Sequence, residues 1–215
     1  MLRIALALCV VCCSIAHAAD RPNVVVIVAD DLGYADLGCQ GSKEVKTPNI
    51  DTIAANGARF TSAYVSCPVC SPTRAGILTG RYQQRFGHEF NPGGVPPAKF
   101  GLPLDQVTIA NVLKDAGYST GIVGKWHEGT LPDYVPTRRG FDEFFGFLGG
   151  AHPYENWRGI LHNGKPAQGE GYLTEAYGAE AVSFIERHKT RPFFRVGQRL
   201  HRIQALKRIL TIVHA

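Results

Sequence analysis

The run Val24-Val25-Val26-Ile27-Val28-Ala29 constrains the fold of this 215-residue chain more than any other segment. Five of its six residues are β-branched and suit a pleated backbone, and the lack of polar alternation predicts a strand covered on both faces. Such a strand belongs in a largely parallel sheet with helices above and below it. The run stops at Asp30-Asp31-Leu32-Gly33-Tyr34. Ligands in open α/β sheets gather beyond the carboxyl ends of strands, so these adjacent carboxylates are placed to bind a cation. The plain structural alternative is an Asp turn that ends the strand and caps the next segment.

The same alternation continues downstream. Thr47-Pro48-Asn49 opens a short helix to about Asn56, closed by Gly57, and Ala58 to Val65 reads as extended chain. Asn91 to Pro97 is an irregular loop by composition. Thr108 caps a helix with Ile109, Val112, Leu113 and Ala116 on one face, and Gly117 ends it. Tyr118 to Gly124 is a second buried strand, Thr174 to Lys189 an amphipathic helix, and Phe193-Phe194 the start of a third strand. Strand, helix, strand with right-handed crossovers gives an α/β domain with a largely parallel sheet and helices on both faces.

The chemistry-bearing segment is Cys70-Ser71-Pro72-Thr73-Arg74, followed by Ala75-Gly76-Ile77-Leu78-Thr79-Gly80-Arg81. Ser71 is suited to the N-cap, Pro72 to the first helical position and Gly80 to the stop. A thiol then stands at the positive end of a helix, where the dipole and unpaired N–H groups favour an anion, with Arg74 one turn along the same face. Two blander readings exist: a structural cysteine before an ordinary helix, and Cys67-Pro68-Val69-Cys70 as a redox pair or half of a zinc site. A third group ends the second strand, Gly124-Lys125-Trp126-His127. Strand alternation sends Lys125 and His127 to one side and Trp126 to the other. There a lysine can stabilise negative charge and a histidine can move a proton near neutral pH.

At these residues the chain resembles the type I sulfatases of the alkaline phosphatase superfamily, whose signature is Cys-x-Pro-x-Arg followed by Leu-Thr-Gly-Arg. The resemblance covers roughly Arg21 to Phe194 and corresponds to the N-terminal portion of a sulfatase. It implies that a sulfatase-maturing enzyme oxidises Cys70 to formylglycine, whose hydrate attacks the sulfur of a sulfate ester. By the same resemblance Asp30, Asp31 and the oxygen derived from Cys70 bind Ca2+. Lys125 contacts the sulfate, Arg74 and Lys125 stabilise its charge, Arg74 also orients the hydrate, and His127 acts in turnover. The family continues Gly-Lys-Trp-His-Leu-Gly where this chain has Glu128. That substitution either raises the His127 pKa or points its carboxylate to solvent. Pro136 to Gly146 is also close to the family, and Gly149-Gly150-Ala151-His152-Pro153-Tyr154 resembles a stretch of the bacterial polysaccharide sulfatases that turns His152 toward substrate. The implied function is a sulfuric ester hydrolase acting on carbohydrate or aryl sulfates. One alternative is a phosphonate monoester or phosphodiester hydrolase of the same superfamily, and another is a non-catalytic fragment that binds anionic glycans.

Composition sets the remaining bounds. Residues 1–18 read as a secretory signal, with Arg3 as the charged region, Ile4 to Ile15 as an apolar core too short to span a membrane, and Ala16-His17-Ala18 at the cleavage site. The mature chain is then exported, periplasmic or secreted, and keeps Cys39, Cys67 and Cys70; with Cys70 converted, Cys39 and Cys67 remain to pair. Of the formal charge of +5, much falls in the last stretch, where Arg191, Arg195, Arg199, Arg202, Lys207 and Arg208 occur without Asp or Glu. Residues 19–194 are thus expected to form the N-terminal part of a catalytic domain. Residues 195–215 form a basic, helix-like tail unlike the family, consistent with a truncated product of weak or no activity. Export makes nucleic acid an unsuitable partner for this tail and an anionic polymer the better one.

Overall fold

The computed structural model describes residues 21–92 and 101–198, the side chain of Gln198 excepted. The expected leader and residues 199–215 of the tail lie outside the described residues, as do residues 93–97 of the expected loop.

Six strands form one sheet: β1 (Val24–Val28), β2 (Ser119–Lys125), β3 (Glu143–Phe147), β4 (Leu161–His162), β5 (Lys165–Pro166) and β6 (Phe193–Gln198), in the spatial order β1-β6-β2-β3-β4-β5. The four long strands run parallel, and the short β4–β5 hairpin is antiparallel to β3. The last described strand therefore inserts between β1 and β2, in register Val25–Arg195–Gly121.

Helix α1 (Pro48–Asn56) buries no residue and bonds to the Gly38–Gln40 turn, while α2 (Cys70–Thr79), α3 (Ile109–Asp115) and α4 (Leu173–His188) cover the two faces of this α/β sheet. On one face Ile122, Phe144, Phe194 and Val196 pack with Ala75 and Leu78 of α2 and Ala110 of α3. Trp126 and Phe141 join this core edge to face, with ring centroids 6.1 Å apart. On the other face α4 lays Tyr177, Ala181, Phe184 and Ile185 over Val123, Phe145 and Phe193.

Local signals explain several boundaries. Thr108 and Asn111 form a reciprocal capping box at the start of α3, and Gly80 closes α2 in the left-handed conformation at φ 65°, its N–H donating to the Gly76 carbonyl. Ala58 to Val65 joins no strand of the described sheet. Three expectations are corrected. On α3 the buried residue is Ala110, while Ile109 and Val112 face solvent, because the helix meets the sheet along its Ala110–Leu113 side. β1 is only half-buried, with Ile27 exposed, since among the described residues it pairs on one side alone. The strand that begins at Phe193 runs on through Gln198, so Arg195 to Gln198 belong to the sheet and not to a helix-like tail.

That last correction buries a charge. Arg195 is 0% exposed, and its three guanidinium nitrogens have no hydrogen-bond partner among the described residues. Burial pushes its pKa down to about 9, with only the charge of Glu180 opposing. An unpaired ion in a central strand costs more than an apolar residue of similar size. Arg195→Leu is therefore expected to raise the thermal midpoint by about 4 °C or more, read by circular dichroism. A lower midpoint would show that the guanidinium is compensated.

Candidate active site

The carboxyl ends of β1 and β2 and the first turn of α2 converge. Asp30 follows β1, Lys125 ends β2, and Arg74 projects from α2 one turn after Cys70. The Asp30 carboxylate joins them: Oδ1 is 3.3 Å from the Arg74 guanidinium, and Oδ2 is 3.2 Å from Lys125 Nζ. A second Arg74 nitrogen donates to the Lys125 carbonyl at 3.2 Å. Arg74 and Lys125 are each 3% exposed. Burial pushes the Arg74 pKa below its ordinary value and the Asp30 charge opposes that shift.

His127 completes this corner. The chain leaves β2 through a left-handed residue, His127 at φ 66°, whose N–H donates to the Leu148 carbonyl. Its ring lies against Gly150, where a Cβ would come within 2.5 Å of Cε1 and Nε2, so only glycine leaves room for it. Burial, then the charges of Lys125 and Arg74, hold the His127 pKa down at about 4. At neutral pH the imidazole is uncharged and able to accept a proton.

Glu128 does neither of the things expected of it. It turns away from His127 and is fully buried, its carboxyl 3.3 Å from His88 Nε2 and accepting from the Ser71 hydroxyl at 3.4 Å. Burial pushes its pKa up to about 7 against the hydrogen bonds from His88 and Ser71. The start of α2 also differs from expectation. The helix begins at Cys70, with Val69 in the N-cap position making no side-chain cap, and the Ser71 hydroxyl goes to His88 at 2.7 Å. Asn91 takes the capping role from a distant loop: its Oδ1 accepts from the Ser71 N–H at 3.0 Å and from Cys70 Sγ at 3.5 Å. His88 and Asn91 were not singled out from the sequence, because neither lies at a helical or strand spacing from the motif.

Two predicted site residues stand apart. Asp31 is exposed, at φ 59°. His152 has both ring nitrogens near carbonyls of its own loop, Pro153 at 2.9 Å and Arg158 at 3.0 Å, and packs beside Phe147. Cys39, Cys67 and Cys70 are all free, so neither the Cys39–Cys67 pairing nor a Cys67–Cys70 redox bond is formed. Cys39 sits in a short 3-10 turn against Asp51, away from the segment leading into α2. No group of three or more His, Cys, Asp or Glu side chains able to hold a metal occurs among the described residues. Calcium takes six to eight oxygens, whereas each Asp30 oxygen faces a cation and Asp31 is exposed, so no closed cation site is formed among the described residues. A cavity of about 300 Å3 lined by Tyr64, Thr73, Ile77 and Tyr82 runs along the opposite side of α2 and touches none of the converging charges.

The family described as Sulfatase matches residues 22–197. The chain belongs to the sulfatase family. Its sequence is 48% identical to human arylsulfatase A over 148 residues, covering 67% of this chain and 28% of that protein. Among solved structures, Ps i-CgsB in complex with k-i-k-neocarrahexaose superposes with a TM-score of 0.77 at 39% identity, covering 85% of this chain and 46% of the other. BT4656 in complex with its substrate D-glucosamine-2-N,6-O-disulfate gives 0.69 at 31% identity, covering 85% and 35%. This sulfatase-family chain thus spans less than half the length of these relatives. No helix among its described residues is long and apolar enough to cross a membrane.

The raised Glu128 pKa has a signed consequence for stability. The folded carboxyl binds its proton up to about pH 7, whereas unfolded it loses it near 4.5. Its contribution is complete below pH 4.5 and is lost as pH rises to 7. Glu128→Gln keeps a neutral polar group at every pH, so its melting temperature relative to the parent is expected to be more favourable at pH 8 than at pH 5. A difference that does not change with pH would mean the carboxyl is ionised throughout.

Proposed function

We propose that this chain carries the nucleophile half of a formylglycine-dependent sulfuric ester hydrolase acting on sulfated carbohydrates or aryl sulfates. The observation that carries this reading is the placement of Cys70 at the first residue of α2, with Arg74 and Lys125 converging on Asp30 beside it. The disulfated glucosamine named as the substrate of BT4656 supports the carbohydrate class.

Formylglycine made from Cys70 by a maturing enzyme would supply a hydrated aldehyde as the attacking group. The chain's own residues do the rest. Arg74 and Lys125 present two buried cations against the single charge of Asp30, a surplus that attracts an anionic ester and stabilises charge that grows on its oxygens. His127, uncharged at neutral pH, takes a proton as the product sulfate departs. His152 is proposed at the rim, where releasing one loop carbonyl would free a ring nitrogen for a sugar hydroxyl. The leader proposed for residues 1–18 would take the protein out of the cytoplasm.

Two measurements test this. Co-expressed with a maturing enzyme, the chain is assayed on paired aryl sulfate and aryl phosphodiester substrates. Cys70→Ala is expected to abolish sulfate hydrolysis with the melting temperature nearly unchanged. Activity that persists in that variant refutes the nucleophile, and preference for the diester moves the chain to the phosphohydrolase branch. Asp30 and Asp31 are proposed as a partial Ca2+ site. Calorimetric titration should give an affinity no tighter than about 10⁻⁴ M, weakened again by Asp31→Asn. Tight binding indifferent to that change would place the cation elsewhere.

A further inference from the structure

His88 and Glu128 are buried at 1% and 0% exposure around Ser71, itself 0% exposed, and the bonds among these three are separate from those that join Asp30, Arg74 and Lys125. Serine, histidine and acid together suggest a hydrolase triad, but the geometry rejects it. Ser71 is sealed from solvent, and serine and carboxylate both approach the same ring nitrogen, His88 Nε2, whereas a triad histidine uses one nitrogen for each.

The cluster instead ties three distant segments together. Ser71 lies in the first turn of α2, Glu128 follows β2, and His88 follows a short 3-10 turn at Gln83–Phe86. The loop at His88 is pinned again by its N–H, which donates to the Gln83 carbonyl, and by Gln83, which is buried and bonded to Ser66. Three residues beyond His88, Asn91 reaches back over the helix start. There it holds the Ser71 N–H and the Cys70 thiol on one oxygen. A helix without a cap of its own has borrowed one, and the borrowed cap touches the reactive side chain.

We propose that Asn91 is a further active-site residue that orients the side chain of residue 70, and that the Ser71–His88–Glu128 cluster positions the loop carrying it. This deepens the reading of Cys70 as nucleophile precursor and rests on it. The acid at position 128 then has a purpose that the family's leucine could not serve. It is the buried acceptor that anchors Ser71 and His88, and without it the loop loses one of its fastenings. An oxygen facing the thiol accepts its hydrogen and so holds the sulfur in one direction. Toward hydroxyl groups at the same position, that oxygen would accept a hydrogen in the same way.

The test uses the whole chain with Cys70 left as a thiol. Iodoacetamide alkylation at neutral pH is followed peptide by peptide by mass spectrometry, with Cys39 and Cys67 as internal controls. Asn91 is exposed, so its variants should fold. Asn91→Ala removes the acceptor, frees the sulfur and is expected to speed Cys70 alkylation by about threefold or more, whereas Asn91→Asp keeps an acceptor, holds the thiol hydrogen more strongly and should slow it below the parent. Glu128→Leu should speed Cys70 as Asn91→Ala does, and should add nothing when combined with it. The proposal is overturned by alanine and aspartate variants that move Cys70 in the same direction or leave it unchanged. It is equally overturned by acceleration of all three cysteines together, or by a Glu128→Leu effect of the same size with and without Asn91. The readout needs neither maturation nor turnover, so a failure here is distinct from a failure of the Cys70→Ala activity test.

Discussion

The architecture depends on one carboxylate. Asp30 lies between the Arg74 guanidinium and the Lys125 ammonium, all three nearly out of solvent, and so binds the end of β1 to α2 and to the end of β2. Removing it would leave two buried cations facing each other, a loss on the order of 3–5 kcal/mol for a broken buried pair. Because the strand between β1 and β2 is β6, this ion pair also closes the sheet over the last described strand. The stabilising contacts therefore involve the same side chains that are proposed to receive the anion.

Burial first, and then the surplus of positive charge, keeps the neighbouring histidine neutral. His127 sits where a second proton carrier would be repelled, beside Lys125 and Arg74 and under the wall made by Gly150, and so it stays neutral. An arriving dianionic or monoanionic ester would reverse that balance, offsetting the cations and making the imidazole a better base when a proton must be taken.

The chain sets two buried ionisable groups against each other on adjacent residues. His127 is pushed toward the neutral form by burial and by cations, and Glu128 toward the neutral form by burial, with their side chains directed to different sides of the turn. The left-handed backbone at His127 makes this possible, since it turns the chain sharply between the two. The acid consequently serves the start of α2 and not the imidazole of His127. By contrast, Arg195 in β6 is a buried charge with no such arrangement around it among the described residues.

What the sequence determined by itself were the local periodicities: the strand leading to Asp30, the helix that puts Arg74 one turn from Cys70, the strand that ends at Lys125, and the cap at Thr108. Each follows from a repeat of two or 3.6 residues or from a turn chemistry that acts within four positions. The left-handed backbone at His127 breaks the alternation expected from Lys125 to His127. The tertiary structure alone decided which face of α3 is buried, where Glu128 points, that Ser71 bonds His88 instead of capping its own helix, and that Asn91 reaches Cys70 across 21 residues. Those outcomes depend on which distant segments meet at one point. A buried hydroxyl or carboxyl takes whichever partner the packing presents, and no spacing along the chain announces that partner in advance.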